Sequence, residues 1–198
     1  MSNDAPLAVT TPAEWRAWLA EHGGTAGEAW VVIPHARSGR PGLTQRQALE
    51  EALCFGWIDG LSRGHDATAR KQRFSPRSPR SAWSTINREL VAQLIADGRM
   101  TPAGQAAIDA AQANGMWLLL ADAQAGIVPD DLRAALEADR AAAAGWEAMS
   151  RSARRAELEA LARAKKPETR VRRIAAVAAV AAAAAKAAEQ DRNPEITS

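Results

Sequence analysis

The side chains best equipped for chemistry in this chain gather between Trp57 and Asn87. The stretch RKQRFSPRSPRSAWS, starting at Arg70, carries Arg70, Lys71, Arg73, Arg77 and Arg80 with no carboxylate among them, and sets Phe74 and Trp83 between and after them. Arginine offers a planar set of N–H donors that suits phosphate and carboxylate. The stretch also runs into a helix start at Ser81 or Ser84, where free backbone N–H groups favour negative charge. Just upstream, GWIDG places Asp59 next to Trp57 and Ile58. Two readings of the basic stretch stand: a solvated loop rich in Pro and Ser, or a surface that meets an anion. Asp59 reads first as a partner for a nearby arginine or a turn cap, and second as a catalytic acid or base.

Other chemistries find less in the sequence. His22, His35 and His65 are far apart and lack metal-ligand spacing, so no metal site is assigned. Neither a phosphate-binding G-x-x-x-x-G-K-[ST] loop nor a G-x-G-x-x-G turn is present, and no cofactor is implied. The single cysteine, Cys54, cannot form an intrachain disulfide and reads as a packed core thiol. Net charge is +2, so anion binding must rest on local clusters, of which Arg170, Arg172 and Arg173 make a second; nucleic acid would need a broader basic face. The N-terminal MSNDAPLAVTTP lacks the build of a secretory signal, and the alanine-dominated run from Ile174 is shorter than the roughly 20 residues needed to span a bilayer. The expected location is the cytoplasm.

Several elements are legible. TPAEWRAWL pairs Thr11 with Glu14 in a capping box around Pro12, and brings Trp15, Trp18 and Leu19 to one face. AWVVI (29–33) reads as a buried strand. Thr44 and Gln47 start a second helix that Gly56 stops. WIDGL and ATARKQRFS read as paired extended segments joined by a turn at SRGHD. From Ser81 on, the chain reads as helical, with Ile86, Leu90, Leu94 and Ile95 facing inward in one helix, an Asp130 or Asp131 cap on another, and Val171, Ile174, Val177 and Val180 facing inward in the last. The closing DRNPEITS is expected to fray. The fold class is therefore α+β: a small antiparallel-containing sheet with helices, then a mostly helical C-terminal part. We read one domain over 1–198, with a helical extension from about residue 150; its oligomeric state is not encoded in any visible pattern.

Taken together, EALCFGWIDG, RFSPRSPRSAWSTIN, LIADGRMTPAGQAAIDAAQANGMW and AKKPETRVRRI resemble the YdeI/OmpD-associated (bacteriocin-protection) bacterial family, in order and spacing, from about Thr11 to about Val180. The family usually has lysines after the first strand, where this chain reads PHARSG. The resemblance implies a stress-protection role against bacteriocins or cationic antimicrobial peptides, and association with an outer-membrane porin by name; it attaches no reaction. Trp57, Asp59, Phe74, Arg77, Trp83, Ser84 and Asn87 match its motif positions, and Arg73 and Arg80 lie among them. The expected site is a pocket floored by Trp57 and Trp83, with Asp59 and Arg77 opposed, that takes a small anionic ligand or an acidic protein segment. An enzyme using Asp59 on an arginine-held anion is the alternative, and nucleic-acid contact a weaker one.

Overall fold

A computed structural model describes residues 5–192, and the chain divides into two compact units, Met1–Leu118 and Leu119–Ser198. The fold is α+β, with the sheet in the first unit and helices alone among the described elements of the second.

In the first unit, helix α1 (Pro12–His22) begins where the sequence places it. Glu14 N donates to Thr11 Oγ1, and the Glu14 carboxylate accepts from Thr11 N in return. Trp15 and Leu19 are its buried residues, and Trp18 stacks on Trp15 at 5.3 Å. Strand β1 (Ala29–Pro34) follows, then helix α2 (Gln45–Cys54), capped reciprocally by Thr44 and Gln47. Strands β2 (Trp57–Asp66) and β3 (Ala69–Pro76) form a hairpin, and the sheet order is β1-β3-β2, antiparallel throughout. Alternation along β3 turns Phe74 into a core of Trp15, Trp57, Val31 and Ile33, while Lys71 and Arg73 point to the opposite face. Helices α3 (Thr85–Ala96) and α4 (Pro102–Ala113) build a second core with α2, containing Leu53, Cys54, Trp83, Leu90, Leu94 and Ile108. Helix α4 docks on the end of α2: Thr101 Oγ1 donates to the Cys54 carbonyl at 2.6 Å, and a Cβ on Gly104 would collide with that same carbonyl.

The second unit holds α5 (Ala121–Ala125), α6 (Asp130–Glu137), α7 (Arg140–Ala148), α8 (Arg151–Ala162) and α9 (Pro167–Arg192). Its core combines Leu132, Leu136, Trp146, Leu158 and Leu161 with Ile174, Val177 and Ala181 of α9. Helices α7 and α9 approach so closely that a Cβ on Gly145 would run into the Ala181 backbone. No described helix is long and apolar enough to cross a membrane.

Several local expectations are corrected. SRGHD is not a turn: β2 runs through it to Asp66, and the reversal falls at Ala67–Thr68, where Asp66 Oδ1 accepts from Thr68 N at 2.7 Å. ATARKQRFS is extended as expected, in β3, so that only the part of the basic stretch from Arg77 on is loop. Ile86 and Ile95 are exposed, and Val91 joins Leu90 and Leu94 in the buried face of α3. In α9, Val171 and Val180 are exposed; small residues Ala181 and Ala182 are buried instead, because close helix contact favours the missing bulk. Pro129, not an aspartate, holds the cap position of α6. Of DRNPEITS, the last six residues lie outside the described residues.

Candidate functional site

Asp59 lies on β2 directly opposite Phe74 of β3, so it shares the sheet face that packs on α2. The first residue of α2 meets it there. Gln45 Nε2 donates to Asp59 Oδ2 at 2.9 Å, and Gln45 Oε1 accepts from Arg70 Nη2 at 2.9 Å. A neutral amide thus bridges the carboxylate and a guanidinium that comes from the next strand. This is the paired-aspartate arrangement in a relayed form.

Arg77 occupies the step from the sheet into the loop before α3. Its backbone N donates to the Gly56 carbonyl at 2.9 Å, which ties the end of β3 to the turn after α2. Its side chain folds back over Trp83, with the guanidinium carbon 3.8 Å from the ring centroid, and Nη2 donates to the Ala82 carbonyl at 3.0 Å. Such stacking suits guanidinium, which is weakly hydrated on its faces. The remaining nitrogens, Nε and Nη1, are shut away from solvent and have no acceptor among the described residues. Burial pushes the Arg77 pKa down to about 10, against the pull of the Asp59 charge, so the group stays cationic at neutral pH.

The platform beneath it is rigid. Trp83 is 2% exposed, its backbone N donates to the Met116 carbonyl, and its ring lies 5.0 Å from that of Trp117. Ser84 caps α3 by accepting from Asn87 N at 3.2 Å, which fixes the first turn just past the stacked pair. Asn114 of the α4 end holds the intervening loop by donating to the Pro79 carbonyl.

Other expected members are placed elsewhere. Trp57 is 1% exposed and belongs to the α1-side core, where its indole N–H donates to the Gly23 carbonyl. Trp57 and Trp83 therefore sit in separate buried clusters, and neither presents a ring face as a pocket floor. Phe74 is fully buried against Trp15. Arg73 pairs with Glu28 at 3.3 Å on the other sheet face, and Arg80 is exposed in the loop turn. What the structure brings together is Arg77, Trp83 and the α3 start, with Asp59 acting on Arg77 through its charge. Gln45 was not foreseen. A polar residue at a helix start opposite GWIDG is the only signal that could have flagged it. The Gly56 and Ala82 carbonyls leave no trace in residue type. No group of residues suited to a metal ion occurs among the described residues.

Residues 7–107 match the family described as a domain of unknown function (DUF8412), and residues 125–184 match the family described as bacteriocin-protection, YdeI or OmpD-associated. No curated protein and no solved structure matches the chain. The resemblance drawn from the sequence is thus met under its own name in the C-terminal part, where AKKPETRVRRI falls. GWIDG, the arginine-serine motif and GRMTPAG fall in the N-terminal match, and so does every candidate site residue. The chain belongs to the DUF8412 family through residues 7–107 and carries a YdeI/OmpD-associated, bacteriocin-protection domain at residues 125–184.

Proposed function

We propose that the first unit is a non-enzymatic binding module that seats an anionic group, a carboxylate or phosphate, at Arg77, in a cytoplasmic protein serving stress protection. One observation carries the reading: a charged, desolvated guanidinium keeps two nitrogens without an acceptor. An unmet buried donor costs about 1–3 kcal/mol, more when charged, and an anion oxygen reaching either nitrogen offsets that cost. Trp83 and the Ala82 carbonyl hold the guanidinium in one plane, so little side-chain entropy is lost on binding. The exposed turn at Ser78–Arg80 is the segment through which a ligand would reach it. The protective role, and any association with a porin, come from the description of the family that residues 125–184 match.

A second reading makes Asp59 an acid or base acting on an anion held by Arg77. It is favoured by the Asp59 charge working on that guanidinium.

The test is thermal unfolding of the protein and of its Arg77→Lys variant, in rising phosphate and, separately, acetate at constant ionic strength. Lysine keeps the charge and removes the stacked planar donors. We expect a saturable rise in Tm for the protein and none for the variant. Equal responses, with only a lower starting Tm for the variant, would mean that Arg77 is a clamp between sheet and helix and no more.

A further inference from the structure

The second unit contains a cavity of about 640 Å³ that the reading above does not use. That volume lies within the roughly 300–1,000 Å³ typical of small-molecule sites. Its apolar wall is built from Val128, Trp146 and Leu158, the last two belonging to the buried core of this unit. The first turns of α8, on the helix that also supplies Leu158, contribute Arg151, Arg154 and Arg155. The three cations are not equivalent. Arg154 pairs with Glu147 at 3.3 Å and Arg155 with Glu159 at 3.1 Å. Arg151 has no carboxylate partner among the described residues and stands at the rim, exposed. It is also the first residue of α8. Ser150 caps that helix through Ala153 N, which leaves the N–H groups of the first two helical positions directed out of the helix end.

Helix α7 reaches the cavity through Trp146, and α5 lines it with Ala123, Gln124 and Ala125. Gly126 takes the left-handed conformation that ends α5, and both it and Val128 line the cavity.

We infer that this cavity binds a small amphipathic anion, a carboxylate on an aliphatic or aromatic body, with the apolar body against Trp146, Val128 and Leu158 and the carboxylate at Arg151. Apolar lining alone would accept a neutral body equally well. The unengaged guanidinium and the helix start are what select the charge, and both are at the N-terminal end of α8, two turns before Leu158, which sets the ligand's direction. This inference is independent of the Arg77 reading, because it involves neither the residues nor the unit concerned.

The test follows amide shifts of the whole chain on titration with decanoate, decanol and decyltrimethylammonium, each below its micelle concentration. Decanoate should shift the α8 start, Val128 and the Trp146 indole N–H saturably, and decanol should bind at least about tenfold more weakly, the factor expected for one lost charge-assisted contact. Arg151→Glu, a change at an exposed site, should weaken decanoate by about tenfold or more and leave decanol unchanged. Ala125→Trp, at an exposed position on the cavity edge, should abolish the binding of both by filling the space. The inference is overturned if decanol binds as tightly as decanoate, if Arg151→Glu leaves decanoate affinity intact, or if decanoate shifts only residues around Arg77. That last result would instead assign carboxylate binding to the first unit.

Discussion

The two units solve the problem of making a core in opposite ways. The first fills its interior with rings: Trp15, Trp57, Phe74 and Trp83 are all nearly inaccessible, and the indoles of Trp15 and Trp57 each find a backbone carbonyl. Of the seven tryptophans, only Trp146 belongs to the second unit. There, one ring joins aliphatic side chains such as Leu132, Leu158, Leu161, Ile174 and Val177, and the α7–α9 seam closes through the near approach of two backbones at Gly145 and Ala181. Large rings bury much area each and leave little void, and they also create a rigid platform on which a guanidinium can be stacked. Small residues allow close approach, as at the α7–α9 seam, while the cavity beside α8 lies elsewhere in the unit, lined by α5, Trp146 and the start of α8. The first unit thus offers a single buried cation as its candidate site, and the second a hollow.

The contrast can be broken most forcefully at Trp15. Trp15→Ala removes a fully buried ring together with its hydrogen bond to Ala48, and should cost about 3–5 kcal/mol in denaturant unfolding. A cost under about 1 kcal/mol would mean that the ring core is not what holds the first unit. Gly145→Ala adds one methyl where the Ala181 backbone leaves no room, and should cost about 1–3 kcal/mol as a lower melting temperature of the helical signal. A neutral or stabilising outcome, as helix propensity alone would give, would remove the close-approach account of the second unit.

A buried ionic cluster sharpens the comparison from another side. Glu51, 5% exposed, accepts from Arg16 at 2.8 Å and from Arg99 at 2.6 Å, and Arg16 also donates to the Arg99 carbonyl. Glu51→Gln keeps the shape and removes the charge that both guanidiniums face, for an expected loss of about 1–3 kcal/mol in the same denaturant assay. The second unit has its counterpart in Glu159. Burial raises the pKa of that carboxyl, but hydrogen bonds from Gln124, Arg163 and Arg155 outweigh it and leave the value below the ordinary 4.5. Since the folded value is the lower one, the contribution is complete above pH 4.5 or so and disappears as acidification passes the folded value. Glu159→Gln should therefore flatten part of the acid limb of the Tm profile while costing under about 1 kcal/mol at neutral pH, because its arginine partners are largely solvated.

How much of this was legible follows the same division. Capping boxes at Thr11 and Thr44 announce α1 and α2 because the pairing is local and made of specific residue types. β1 is announced by its β-branched run. The hairpin turn was misplaced because Ser, Gly and Asp in SRGHD carry turn chemistry, whereas the actual reversal depends on Asp66 gripping Thr68. Helices α5 and α7 fall within the chain that reads as helical from Ser81 on, but nothing in the sequence marks them as separate elements. Alanine has no apolar periodicity, and Gly145 argues against a helix until its partner Ala181 is known. On α9, Ile174 and Val177 are buried as their spacing indicates, but Val171 and Val180 are exposed and Ala181 and Ala182 pack instead. At the candidate site, the residue types around Arg77 were legible and their partners were not. The Trp83 stack needs the loop to fold back, and the acceptors at Gly56 and Ala82 are backbone atoms that any sequence would supply. Trp57 joins the expected site through its match to a family motif position, yet strand alternation and the α1 rings draw its indole into the core.

The most direct measurement follows the arginine side-chain Nε–H resonances of the ¹⁵N-labelled protein during a phosphate titration. If Arg77 seats an anion, its Nε–H signal shifts saturably and slows in exchange with water, while that of Arg70, already held by Gln45, stays in place. An Arg77 signal that does not move when phosphate is added, or that moves no further than those of the solvent-exposed arginines, would contradict the account.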